Sequence, residues 1–166
     1  VGAVQRAAGE NTVAMCAAGT MPGELHKLWK ANRPGSYHME YGFSCMGYEI
    51  AGAMGIKMAE PDRDVICFTG DGTYMMANSE MATAAMMSID FTVGVTDNRG
   101  FGCINRLQMG TGGAEFNNLP DHAIGGTNSK IDFAGHAASM GATSVKVSSI
   151  AELEEVLAKR GEIKGP

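Results

Sequence analysis

The chain lacks most of what would mark a secreted, membrane-bound or nucleic-acid-binding protein. It has four cysteines, Cys16, Cys45, Cys67 and Cys103, and no two of them form a C-x-x-C pair. Three lie among apolar or small residues, which reads as buried free thiols in a reducing compartment, not as a disulfide frame or a zinc site. Positive charge is also short: 13 Lys and Arg stand against 18 Asp and Glu, for a net charge of -5 and a pI near 5.3. A nucleic-acid partner needs a basic face, so none is expected. No apolar run is long enough to span a bilayer, and the N-terminus lacks a signal-peptide h-region. These absences together predict a cytoplasmic protein with no membrane partner. Internal repeats and linkers are absent too, so the 166 residues read as one domain.

Two residue types are abundant instead, with 23 glycines and 13 methionines. Apolar residues make up 45%, enough for a core at this length. So many glycines in a core-forming chain suggest backbone held close to a ligand. The methionines fall mostly on helical stripes and suit core filling. The chain begins at Val1 and stops just past a helix, at Glu162 to Pro166. Residues 1–166 are therefore expected to be a domain of a longer polypeptide, with a natural mass well above 17.4 kDa.

Strands and helices alternate along the sequence. Thr12–Cys16 reads as the first strand, and a Gly19-Thr20-Met21-Pro22-Gly23 turn follows it. Leu25, Leu28 and Trp29 place a helix over Glu24–Ala31. Tyr37–Ser44 reads as a connection, and Cys45–Ala59 as a helix. Val65–Phe68 is an apolar run that suits a buried strand, Asn78–Met87 a crossover helix, and Phe91–Val95 a second buried strand. Cys103–Ser129 reads as a long irregular loop with Gly110, Gly112, Gly113, Gly125 and Gly126, and loops of that length are usually functional or mobile. A helix over Ile131–Met140, capped by Asp132 or Ser129 and closed by Gly141, precedes a strand at Thr143–Val147 and a last helix at Ser149–Lys159. The alternation predicts an α/β fold, a parallel β-sheet flanked by helices on both faces.

The stretch Asp64 to Gly102 carries the chemistry. Its first strand ends in Gly70-Asp71-Gly72 and its second in Asp97-Asn98-Arg99-Gly100. Parallel sheets place ligand sites at the carboxyl ends of their strands, and both clusters lie there. Gly70 and Gly72 leave backbone N–H groups open beside the Asp71 carboxylate, and a following helix adds its positive end, as a diphosphate cradle requires. A bound diphosphate normally needs a hard cation, and Mg²⁺ takes oxygen ligands in octahedral geometry. Asp71 offers a carboxylate oxygen, Asn98 an amide oxygen and Gly100 a carbonyl. Each cluster alone is an ordinary turn. Two of them, ending the two strands of one crossover, are not.

Gly70-Asp71-Gly72 followed after 24 residues by Asp97-Asn98 resembles the thiamine-diphosphate-binding motif, with Asp97 where two asparagines are usual. Phe43-Ser44-Cys45-Met46-Gly47 resembles the segment that holds the cofactor bent, and Gly19-Thr20-Met21 the first phosphate-side loop. The resemblance covers about Asn11 to Lys159 and is to the C-terminal diphosphate-binding domain of the acetolactate synthase-like group. It implies thiamine diphosphate and Mg²⁺ as cofactors, the metal held by Asp71, Asn98 and the Gly100 carbonyl. Gly70, Gly72 and Thr73 would meet the diphosphate, Met46 would wedge the cofactor, and the Ser44 carbonyl would accept from the aminopyrimidine. Residues 16–29 and 37–49 are similar to the branch that opens a cyclic trihydroxy-1,2-diketone in inositol catabolism to give 5-deoxyglucuronate.

That resemblance implies a C–C bond hydrolase acting on a polyol diketone and working as a homo-oligomer. The glutamate that activates the cofactor would come from an N-terminal pyrimidine-binding domain of a neighbouring subunit. Glu40, Glu49 and Glu80 are not assigned that role, no catalytic residue is assigned to this chain, and the chain alone is expected to be inactive. His136 on a helix face reads as structural. His26 and His38 carry no readable role, and His122 lies in the long loop, a lid or a solvated segment. Arg99 and Arg106 are open to polyol hydroxyls or to solvent. Two other readings stand beside this one. One is an acetolactate synthase-like carboligase or decarboxylase. The other is a non-catalytic nucleotide- or flavin-binding module, disfavoured because no G-x-G-x-x-G follows the first strand.

Overall fold

A computed structural model of the chain describes residues 1–124, 130–163 and 165–166. Among the described residues four strands form one sheet in the order β2-β1-β3-β4, with β1 at Thr12–Cys16, β2 at Tyr37–Met39, β3 at Asp64–Gly70 and β4 at Thr92–Thr96. All three pairings are parallel. The strands are parallel because helices carry the chain back between them, so all four carboxyl ends open on one edge.

Alternate side chains of each central strand feed opposite faces. Met15, Val65 and Cys67 pack with Ile50 and Ala53 of α3 (Tyr48–Ala59), Tyr74 of α4 (Asp71–Met76) and Met81 and Ala84 of α5 (Glu80–Met87). Ala14, Cys16, Ile66 and Phe68 pack on the other face with Val4 of α1 (Gly2–Ala7), Leu25 of α2 (Met21–Leu28) and Leu157 of α8 (Ile150–Lys159). β1 and the middle of β3 are buried along their whole length because both faces are covered, which is why they read as continuous apolar runs. Each fully buried large apolar side chain contributes roughly 1.5–3 kcal/mol relative to exposure.

The expected α/β sheet with helices on both faces is thus present, and β1 has the predicted bounds. Several boundaries differ. The helix after β1 starts at Met21, because Pro22 suits its first turn. The helix expected from Cys45 starts at Tyr48, because Gly47 takes φ 93 and stops it there. Asp71 begins an added short helix, so the crossover is two helices and not one.

Three expectations are overturned. Tyr37–Met39 is a strand within the expected connection, paired with β1 from Ala14 to Cys16. The expected loop from Cys103 contains α6 (Gly102–Gly110) and a 3-10 turn at Pro120–His122. Thr143–Val147 is not a strand: the Thr143 N–H donates to the Pro166 carbonyl at 3.1 Å, and Val145 is exposed. Among the described residues it forms no strand pairing.

α7 (Phe133–Ser139) is capped by the Asp132 carboxylate, which accepts from the Gly135 N–H, and Gly141 at φ 97 follows its end. The alternative cap Ser129, with Gly125 and Gly126, lies outside the described residues. Ser149 caps α8 by accepting from the Glu152 N–H. No helix among the described residues is long and apolar enough to cross a membrane.

Candidate functional site

The connection from β1 to β2 runs to one side of the sheet and that from β3 to β4 to the other. The crevice between the ends of β1 and β3 is therefore the switch point, where open parallel sheets bind ligands. The residues the sequence assigns to the metal or cofactor lie at strand ends, in loops or in the first turn of a helix at that edge.

Asp71 follows β3 directly and is 5% exposed. Its Oδ2 accepts from the Gly100 N–H at 2.6 Å, which ties the end of β3 to the end of β4. Burial pushes its carboxyl above the ordinary value. The Gly100 and Gly72 N–H groups pull it down, and Asp97 raises it again.

The Asn98 side-chain amide stands 3.2 Å from Asp71 Oδ1 and 2.7 Å from the Gly100 carbonyl oxygen. With its nitrogen turned inward, it donates to both. With its oxygen turned inward, three oxygens converge, an arrangement that only a cation among them makes favourable. The donor set is one carboxylate, one amide and one backbone carbonyl, all hard oxygens suited to Mg²⁺ and unsuited to zinc. Among the described residues no group of three His, Cys, Asp or Glu side chains forms a competing metal site.

Gly100 must be glycine. Its φ is +130, and a Cβ there would lie 2.6 Å from the Asn118 carbonyl oxygen and 2.7 Å from Pro120. Gly72 is held as closely, since a Cβ on it would meet the Phe101 ring at 2.8 Å. Gly70 has open space where a Cβ would be, and Thr73 is buried in the first turn of α4. α4 is only six residues long, so a helix dipole adds little at this strand end.

The β1 end supplies the opposite wall. Gly19 turns at φ +89, and the Thr20 hydroxyl accepts from the Arg106 guanidinium of α6. Met21 is the first residue of α2. The loop after β2 runs through Ser44, at φ 50, and half-buried Met46. A Cβ on the next residue, Gly47, would lie 3.0 Å from Ala77 Cβ, so this loop packs against the end of α4. The Gly19–Met21, Ser44–Met46, Gly70–Thr73 and Asn98–Gly100 groups thus share one edge.

One residue there received no role from the sequence. Glu49 is 1% exposed in the first turn of α3. Oε1 accepts from the Ala18 N–H at 3.1 Å and Oε2 from the Gly47 N–H at 3.0 Å. Burial raises its carboxyl above the ordinary value, against the pull of those N–H groups. Its signal was an acidic residue beside Ile50 and Ala53 on the core face of a helix.

The histidines and arginines have partners. His136 Nδ1 meets the Tyr74 hydroxyl at 3.0 Å, in keeping with its structural reading. His122 pairs with Glu115 at 2.7 Å, and His38 meets the Tyr48 hydroxyl at 3.2 Å. Arg99 grips Asp121 through Nε and a terminal nitrogen.

Over 163 residues the chain is 44% identical to a 3D-(3,5/4)-trihydroxycyclohexane-1,2-dione hydrolase of Bacillus thuringiensis (strain Al Hakam), covering 95% of this chain and 25% of that protein. A second such hydrolase, from Bacillus cereus, is 46% identical over 154 residues, covering 89% and 24%. The chain therefore spans about a quarter of the length of these relatives. Among solved structures, the Rhodococcus jostii RHA1 thiamine diphosphate-dependent 4-hydroxybenzoylformate decarboxylase superposes with a TM-score of 0.87 at 19% identity, over 99% of this chain and 30% of that one. That likeness speaks for the fold. Residues 17–166 match the family described as thiamine pyrophosphate enzyme, C-terminal TPP binding domain, and the chain belongs to that family.

Proposed function

We propose that the chain is the metal- and diphosphate-binding part of a thiamine-diphosphate-dependent hydrolase that cleaves a C–C bond of a cyclic trihydroxy-1,2-diketone. The convergence of Asp71 Oδ1, the Asn98 amide and the Gly100 carbonyl carries the reading. The identity to the two Bacillus hydrolases supports the choice of substrate.

In this reading Asp71, Asn98 and the Gly100 carbonyl hold Mg²⁺. The N–H groups around Gly70, Gly72 and Thr73, with the Gly19-Thr20-Met21 turn, hold the diphosphate. Met46 would pack against the cofactor, and the Ser44 carbonyl would accept from its amine. When bound, thiamine diphosphate supplies an electron sink for breaking the bond beside a carbonyl. This chain's residues fix that sink in place and exclude water from its diphosphate end. The proton transfers that start catalysis belong to an N-terminal pyrimidine-binding domain of the same protein, contributed by a neighbouring subunit. The whole protein works in the cytoplasm as a homo-oligomer, within inositol catabolism.

Assay of the full-length protein with the cyclic diketone and with pyruvate, each with Mg²⁺ and thiamine diphosphate, tests this. Ring opening of the diketone without carboligation of pyruvate is expected. The reverse preference overturns the substrate assignment.

A further inference from the structure

Two loops that build the cofactor edge follow different strands, and their tips are exposed. Residues Tyr41–Cys45 are all exposed, with Phe43 at 90%. Gly19 is likewise exposed. What fastens them is a pair of carboxylates. Glu49, buried at the start of α3, accepts from the Ala18 N–H with one oxygen and from the Gly47 N–H with the other. Glu40, on the outer side, accepts from the Phe43 N–H at 2.9 Å and the Cys45 N–H at 2.6 Å.

We infer that Glu49, with Glu40 as its outer counterpart, is a positioning residue that locks the Ala18–Gly19 turn and the Phe43–Gly47 loop into one cofactor-binding edge. The inference rests on the reading of that edge as a thiamine diphosphate site.

The chemistry requires a carboxylate. Two N–H donors from separate loops point at one side chain, and only a carboxylate presents an acceptor oxygen to each. A glutamine keeps the shape but turns an NH₂ toward one N–H, so one of the two loops is released. Hydrogen bonds to an ionised acceptor are stronger than neutral ones, and burial removes the water that would compete for them. A core-filling role would be met better by leucine or methionine, which bury no charge.

The test uses the full-length protein with Glu49→Gln and Glu40→Gln. Amide hydrogen exchange without cofactor reads the loops directly. Exchange at Ala18 and Gly47 is expected to be slow in the wild type and faster in Glu49→Gln, with Gly100 unchanged. Affinity for thiamine diphosphate with Mg²⁺ is expected to fall ~10-fold in Glu49→Gln, the scale of losing a supporting partner. A roughly 3-fold fall is expected in Glu40→Gln, where a charged acceptor becomes a neutral one. A Glu49→Gln protein with a lower melting temperature but unchanged affinity and unchanged exchange at Gly47 overturns the inference. Should Glu49→Gln not fold, half-buried Glu40 decides, and unchanged affinity in Glu40→Gln overturns it. A wild type that does not bind thiamine diphosphate refutes the site itself, a separate failure from unchanged variants of a binding wild type.

Discussion

The Gly100 N–H donates to Asp71 Oδ2 across 2.6 Å, joining the turn after β4 to the first residue after β3. The bond does two jobs. It fixes the Gly100 carbonyl beside the other Asp71 oxygen, and it anchors a carboxylate that burial otherwise disfavours as an ion.

A pH dependence follows from that opposition. The folded carboxyl of Asp71 titrates above its ordinary value, chiefly because it is buried. Without Mg²⁺ its contribution to stability is therefore fully present below the ordinary carboxyl range and is lost as pH rises through the raised folded value. Asp71→Asn removes that loss. Urea unfolding between pH ~3 and pH ~7 in EDTA is expected to show the variant gaining on the wild type as pH rises. A constant difference between the two contradicts the account.

Gly100→Ala tests the backbone. Alanine at φ +130 is strained, and its Cβ would sit 2.6 Å from the Asn118 carbonyl. A loss of about 2–4 kcal/mol in unfolding free energy is expected. Gly23→Ala, at a glycine with open space around it and no positive φ, serves as the control, and its expected change is within ~1 kcal/mol.

The cysteines should separate by reactivity. Cys45 is exposed in the loop beside Met46, whereas Cys16 and Cys67 are buried in the sheet. Burial pushes the Cys16 thiol up to about 11 and Cys67 well above its ordinary value, so neither forms thiolate near neutral pH. Thiol titration of the native protein is expected to modify Cys45 first, and Cys16 and Cys67 only after unfolding. Mg²⁺ with thiamine diphosphate should slow the Cys45 reaction. Rapid native modification of Cys67 would show that the sheet is not packed as described.

The sequence was most readable where a segment's environment is uniform. Thr12–Cys16 is buried on both faces, so its apolar run has one explanation and its bounds came out as predicted. Asp71, Asn98 and Gly100 were legible because their chemistry and their place at strand ends are both written locally. Tyr37–Met39 was not, since three half-buried residues make too short a pattern to distinguish from a connection. α6 was hidden by Gly102 and Gly110 at its ends and by the exposure of Ile104 and Leu107 on its surface. Thr143–Val147 misled in the opposite way: β-branched residues favour a strand, but a strand exists only where another pairs with it. Glu49 meets the N–H of Gly47, two residues before it, and that of Ala18 in another loop, and no local pattern announces the second.

The most direct measurement is calorimetric titration of thiamine diphosphate into the full-length protein, with Mg²⁺ and with EDTA, in wild type, Asp71→Asn and Asn98→Ala. The account predicts saturable binding by the wild type with Mg²⁺ only. It predicts a loss on the order of 100-fold in either variant, the upper end for disturbing a metal site. Wild-type binding that is indifferent to Mg²⁺, or unchanged affinity in both variants, would contradict it.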